Sequence, residues 1–198
     1  MKLYWSAASP YARKCRIVVR ERGLEARVEE ISVDAFTNPA ELIAANPLGK
    51  VPALQRDGGT GLFDSRVICQ FLDSLEGDAG LIPQAAEARL DVLRAEALAD
   101  GLMDLAVSMS LERRKPEGEK SPTFVARWRS QLERGLDAMT AELPRSREFN
   151  LAHAAFASAL GYIDYRQPGI DWRSTRKSLA QWLEDISQRQ SLKETAPK

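Results

Sequence analysis

The sequence is short of the residues that build metal centres and redox frameworks. One histidine and two cysteines among 198 residues leave too few soft ligands for a His/Cys metal site, so no metal is expected. Cys15 and Cys69 each fall on the apolar side of an expected helix, which reads as two buried free thiols rather than a disulfide. Neither sign of charge is in excess, with 28 Lys+Arg against 28 Asp+Glu. A formally neutral chain sets up no general field for nucleic acid or an acidic membrane, so neither is expected as a partner. No apolar run approaches the ~20 residues of a membrane span, and the first residues lack the basic-then-apolar pattern of a secretory signal. These absences predict a soluble, cytoplasmic protein.

What is present divides into two halves of different character. The first half alternates. Lys2 to Trp5 reads as a strand, and Pro10 to about Gly23 as a helix with Ser9 at its N-cap and Pro10 at its first position. Tyr11, Cys15, Val18 and Val19 mark the apolar face of that helix, which leaves Arg13 and Lys14 on a solvated face. Arg27 to Val33 reads as a second strand and Pro39 to Ala45 as a brief helix. Two prolines and a glycine forbid helix in Asn46-Pro47-Leu48-Gly49-Lys50-Val51-Pro52. Ala53 to Arg56 and Thr60 to Phe63 then form a hairpin around Asp57-Gly58-Gly59, and Asp64-Ser65 caps a further helix. This order is βαβ followed by ββα, a small mixed sheet with helices on both faces.

Residues 77–84 break the pattern as a linker. Beyond them the apolar periods are helical alone. They give a long helix through Met109 that stops near Pro116, a charged loop at 115–121, and a second helix ended by Pro144. Leu151 to Ile163 is apolar on nearly every side, as a central buried helix would be. A final amphipathic helix ends at Ile186, before a polar tail. The expected fold class is therefore α/β plus all-α, with domains at 1–79 and 85–198.

Ser9-Pro10-Tyr11-Ala-Arg13-Lys14, then Asn46-Pro-Leu-Gly-Lys50-Val51-Pro52-Ala-Leu54, then Asp64-Ser65, then Ala159-Leu-Gly-Tyr-Ile-Asp-Tyr-Arg166 stand in an order that resembles the cytosolic glutathione S-transferases. The resemblance covers essentially the whole chain and implies a thioredoxin-like N-terminal domain. It also implies a homodimer that conjugates glutathione, as co-substrate, to an apolar electrophile, or carries out a related glutathione-dependent isomerisation or peroxide reduction on the same site. Val51 would offer its backbone to the cysteinyl unit as an added strand, beside a cis Val51–Pro52 bond. Ser65 would take the γ-glutamyl carboxylate and Asp64 the ammonium. The loop 34–38 has no basic side chain for the glycyl carboxylate, which points to Lys50 or a backbone group.

Ser9 stands where related glutaredoxins carry a nucleophilic cysteine in C-P-Y-C. With no sulfur in S-P-Y-A, dithiol exchange is excluded at this motif, but a hydroxyl can donate to a bound thiolate. Tyr4, Ser6 and Tyr11 are the competing hydroxyls. Arg13 would add positive potential near the thiolate. The second-substrate wall would come from Tyr11, Met103, Val107 and Leu111. In the central helix Asn150 is a competent cap, but the carboxylate that relatives place three residues on is replaced by His153, read here as structural. A non-catalytic glutathione- or partner-binding protein on the same scaffold is the alternative function.

Overall fold

The computed structural model describes residues 1–75, 77, 80–144, 148–167 and 169–197. Strand β1 (Lys2–Trp5) lies at the centre of a three-stranded sheet in the order β2-β1-β3. It runs parallel to β2 (Glu29–Ser32), with Tyr4 opposite Ile31, and antiparallel to β3 (Ala53–Gln55), with Tyr4 opposite Ala53. Between them come α1 (Pro10–Glu21) and α2 (Ala40–Ala45), and α3 (Ser65–Asp73) closes this half.

The hairpin expected at 53–63 is cut short. Its second arm contributes one bridge, Leu54 to Leu62, with backbone hydrogen bonds of 2.9 and 2.8 Å. Side chains take the carbonyls that a longer ladder would use. Arg56 Nε donates to Thr60 O and Gln55 Nε2 to Gly59 O, both at 3.0 Å. Gly61 then passes so close to α2 that a Cβ there would lie 2.1 Å from Ala45 O. Backbone cannot give way as a side-chain tip can, so Gly61→Ala is expected to lower stability by about 1–3 kcal/mol in urea unfolding.

The second half is helical among the described residues. It comprises α4 (Ala86–Arg113), α5 (Pro122–Ala141), α6 (Leu151–Arg166), α7 (Trp172–Thr175), α8 (Lys177–Ile186) and α9 (Gln190–Glu194). A 3₁₀ turn, Glu117–Glu119, lies within the expected charged loop. Of the expected linker, residues 78 and 79 lie outside the described residues. Its far end is pinned where the Asp73 carboxylate accepts Leu81 N at 2.6 Å and Ile82 N at 3.0 Å. As its sequence requires, α6 is buried along every residue from Leu151 to Leu160. It packs on α1, α4 and α8 and joins the two halves into one apolar core. Among the described residues no helix is long and apolar enough to cross a membrane.

The tail is not simply polar. Leu192 of α9 is buried, and the segment folds back on the end of α1 through Arg189 to Glu21 and Arg20 to Glu194. A lone apolar residue leaves no periodicity to read, and the ion pairs that dock it lie about 170 residues away in the chain. His153 is buried and structural. Its ring nitrogen Nδ1 accepts the Asn150 N–H at 3.2 Å, doing the work of the missing capping carboxylate, and its ring lies between Phe149 and Trp182.

Candidate functional site

The candidate site forms where β1 ends, β3 begins and two helices start. The chain leaves β1 at Trp5, turns through Ser6 with Ser9 N donating to Ser6 O at 3.0 Å, and enters α1. Ser9 is the N-cap: its Oγ accepts Ala12 N at 3.2 Å. A hydroxyl that accepts in this way keeps its own proton to donate. Pro10 has no N–H, and Tyr11 N makes no hydrogen bond among the described residues. The positive end of α1 therefore offers a hydroxyl proton and an unused amide to an anion.

Because β3 is antiparallel to β1, the residues before Ala53 lie beside those that follow Tyr4. This places Val51 on the Ser9 edge of the sheet. The Val51–Pro52 bond is cis, and among the described residues the Val51 N–H and C=O have no hydrogen-bond partner. Asn46 holds the preceding turn: buried, it donates from Nδ2 to Lys50 O at 2.8 Å and accepts Leu48 N on Oδ1 at 3.0 Å. Lys50 is exposed at the rim.

Across from this strand edge, Asp64 caps α3 by accepting Arg66 N at 3.0 Å. Ser65 is almost wholly buried, and its hydroxyl makes no hydrogen bond within the described protein. Its carbonyl lies 3.8 Å from Cys15 Sγ on α1, which fixes the start of α3 against the first helix. Cys15 and Cys69 are both buried free thiols with sulfurs 3.7 Å apart, and burial pushes the Cys69 thiol up. A pair so dry acts as core.

The competing hydroxyls separate by position. Tyr4 faces the opposite side of the sheet, in a small cluster with Leu42, Ala45 and Ala53. The Tyr11 hydroxyl donates to Asp104 of α4, and burial, reinforced by Asp104, pushes its pKa well above the usual tyrosine value. Its proton is thus committed away from Ser9. Ser6 stays in the turn. Val107 is half-buried and Leu111 exposed, further along the helix that holds Asp104. Met103 is fully buried in the core and has no surface to offer a second substrate.

Arg13 and Lys14 correct the expectation of a solvated face. The Arg13 side chain runs to α6, where Nη1 donates to Ala157 O at 2.9 Å, beside a Gly161 whose Cβ would meet it at 2.2 Å. Burial lowers its pKa to about 10, which still leaves it charged at neutral pH. Lys14 is fully buried and pairs with Glu96 at 2.8 Å and Asp100 at 2.7 Å. Burial opposes its charge, but the surrounding groups, Asp100 and Glu96 among them, outweigh it and raise the pKa. The other Asp100 oxygen accepts Arg66 Nε at 2.6 Å. One carboxylate on α4 therefore ties down α1 and the start of α3. A sequence signal existed in Glu96 and Asp100, spaced one turn apart on a helix otherwise read only for its apolar stripe.

The sequence matches the family model of the glutathione S-transferase N-terminal domain over residues 8–75 and that of the C-terminal domain over residues 122–185. An uncharacterized GST-like protein, YibF, of Escherichia coli (strain K12) is 32% identical over 202 residues, covering 100% of this chain and 98% of that protein. A glutathione S-transferase from Methylobacillus flagellatus KT, solved with glutathione bound, superposes with a TM-score of 0.93 at 38% identity, over 100% of this chain and 99% of that one. A glutathione transferase family member from Pseudomonas fluorescens Pf-5, also with bound glutathione, gives a TM-score of 0.93 at 36% identity, covering 100% and 98% of the two chains.

Proposed function

Since the chain belongs to the glutathione S-transferase family, we propose that it binds glutathione along the edge between α1, Val51 and α3 and transfers its thiolate to an apolar electrophile. The observation that carries this reading is the pairing of a free Val51 backbone with a Ser9 hydroxyl that still has its proton to give. An extended peptide laid against Val51 gains two strand-type hydrogen bonds. Its cysteinyl sulfur then points to the start of α1. Ser65, with an unused hydroxyl at a helix start, takes the γ-glutamyl carboxylate, and the outer oxygen of Asp64 takes the ammonium. Lys50 stands at the glycyl end.

In this reading Ser9 is a hydrogen-bond donor that lowers the thiol pKa, so no general base is needed. Proximity in the cleft supplies the rest of the rate. Tyr11, Val107 and Leu111 line the side from which the electrophile enters. The two functional units are residues 1–79 and 85–198, acting in the cytoplasm as a homodimer. Val67 of α3 and Leu90 of α4, both exposed, are candidates for the contact. Sedimentation of wild type against Leu90→Glu tests that assembly.

Calorimetry with glutathione, run beside turnover of a generic aryl halide, tests the whole reading. Micromolar to millimolar binding with turnover supports it. Absence of glutathione binding overturns it, and binding without turnover of any electrophile identifies a carrier or partner-binding protein instead. Ser65→Ala is expected to weaken glutathione by about tenfold or more, the worth of a hydrogen bond to a charged group. An unaltered dissociation constant removes Ser65 from the γ-glutamyl end.

A further inference from the structure

We propose that Asp104 selects the second substrate by charge, admitting neutral or cationic electrophiles and rejecting those that carry a carboxylate. This rests on the glutathione-transfer reading and deepens it. Asp104 lies on α4 and receives the hydroxyl of Tyr11, two residues beyond Ser9. That hydrogen bond holds an exposed carboxylate of α4 beside the first turn of α1, the side from which, in the glutathione-transfer reading, the electrophile approaches the sulfur.

The charges around it do not cancel it. From α1, Lys14 is consumed by Glu96 and Asp100, while Arg13 turns away to the Ala157 carbonyl. From α3, Arg66 is consumed by the second oxygen of Asp100. Two cations thus face Glu96 and Asp100, and Asp104 is the carboxylate left over, with no cationic partner among the described residues. A neutral phenol is all that holds it. The tether also explains why an exposed side chain acts locally: the tyrosine proton, kept by burial and by Asp104 itself, holds the carboxylate to one position.

A second carboxylate brought within several ångströms, in a cleft less polar than water, meets repulsion equivalent to about five- to tenfold in affinity at low salt. An amine or an uncharged ring meets none. The same field faces the shared glutathionyl part equally in every such complex, so it cancels from a comparison between S-substituents.

The test reads binding without requiring turnover. S-benzylglutathione and S-(4-carboxybenzyl)glutathione are titrated by calorimetry into wild type and Asp104→Asn at low ionic strength, with glutathione as reference. In wild type the carboxylated ligand is expected to bind about five- to tenfold more weakly than the benzyl ligand. In Asp104→Asn that ratio falls to within about twofold, and in wild type it narrows in ~0.5 M salt as the charges are screened. Tyr11→Phe, which releases the carboxylate, gives an intermediate ratio. Equal affinities in wild type, or a ratio that Asp104→Asn leaves unchanged, overturns charge selection while leaving glutathione binding intact. Failure of glutathione itself to bind overturns both readings.

Discussion

Ser9→Ala is expected to keep glutathione bound but to lose most turnover at neutral pH. The dissociation constant stays within about fivefold, because the Val51 backbone and Ser65 make the binding contacts, and one neutral hydrogen bond is worth about 1 kcal/mol. The thiol is another matter. A hydrogen bond to a charged acceptor contributes about 1.5–3 kcal/mol, and one pKa unit is about 1.4 kcal/mol, so the bound thiol pKa is expected to rise by about one to two units. From a reference thiol near 8.5, a depression of one to two units gives roughly a quarter to three quarters thiolate at pH 7 against about three per cent without it. Turnover of an aryl halide therefore falls about eight- to 25-fold at pH 7.

The sign sets the pH profile. Ser9 favours the charged form, so its loss moves the ionisation upward, and the mutant recovers as pH approaches 9. Thiolate absorbance near 240 nm, titrated in the binary complex, reads the shift directly. Turnover of Ser9→Ala equal to wild type across pH 6–9 would falsify the role of the hydroxyl. The cap is a small complication, since the same Oγ accepts Ala12 N at 3.2 Å. Its removal destabilises α1 by about 1 kcal/mol, which chemical denaturation separates from the change in chemistry.

Lys14→Met is expected to cost about 3–5 kcal/mol of stability at pH 7, because it leaves Glu96 and half of Asp100 buried without their cation. Urea unfolding measures it. Stability of the mutant should improve on mild acidification, as protons neutralise the stranded carboxylates, while wild type should not gain. A companion variant, Lys14→Met/Glu96→Gln, recovers part of the loss, since a hydrogen-bonding but uncharged side chain no longer demands a partner. In wild type the linkage runs the other way. The folded pKa of Lys14 is raised, so its stabilising contribution is complete below the unfolded lysine value near 10.4 and is lost as pH climbs through the folded value. A mutant as stable as wild type at pH 7 would show that the pair is worth nothing there. Because Asp100 also holds Arg66, glutathione affinity in Lys14→Met reports whether the start of α3 has shifted.

These two residues mark the border of what could be read in advance. Ser9, Val51 and Ser65 sit in short motifs whose meaning is local. A serine before a proline caps a helix wherever it stands, and an X–Pro after a glycine-containing turn cannot be helix. Their order along the chain then identified the scaffold. The helices α3, α6 and α8 were legible for a similar reason, since apolar period and length are properties of contiguous residues.

Lys14 was misread by the same logic. The period through Tyr11, Cys15 and Val18 names one buried face of α1 and assigns the remainder to water. In the folded protein α1 is enclosed by α3, α6 and the returning α9 as well as by the sheet. Its second face is dry too, and Lys14 is tolerated there only because Glu96 and Asp100 arrive from 82 and 86 residues away. Met103, placed on the cleft wall by its position in a long helix, turned into the core for want of any signal about which side of α4 meets α6.

By itself the sequence determined the two-part architecture, the capped start of α1 with its serine, the non-helical turn at Val51–Pro52 and the family to which these belong. Each follows from residues that are neighbours in the chain, where steric and hydrogen-bonding rules act without reference to the rest. Only the tertiary structure decided that Lys14 is a buried tie between the halves, that Tyr11 gives its proton to Asp104, and that Asp104 has no cationic partner among the described residues. Those depend on which charges meet across distances of 80 residues and more in the chain. Coulomb energy and desolvation are set by separation in space, and nothing local encodes it.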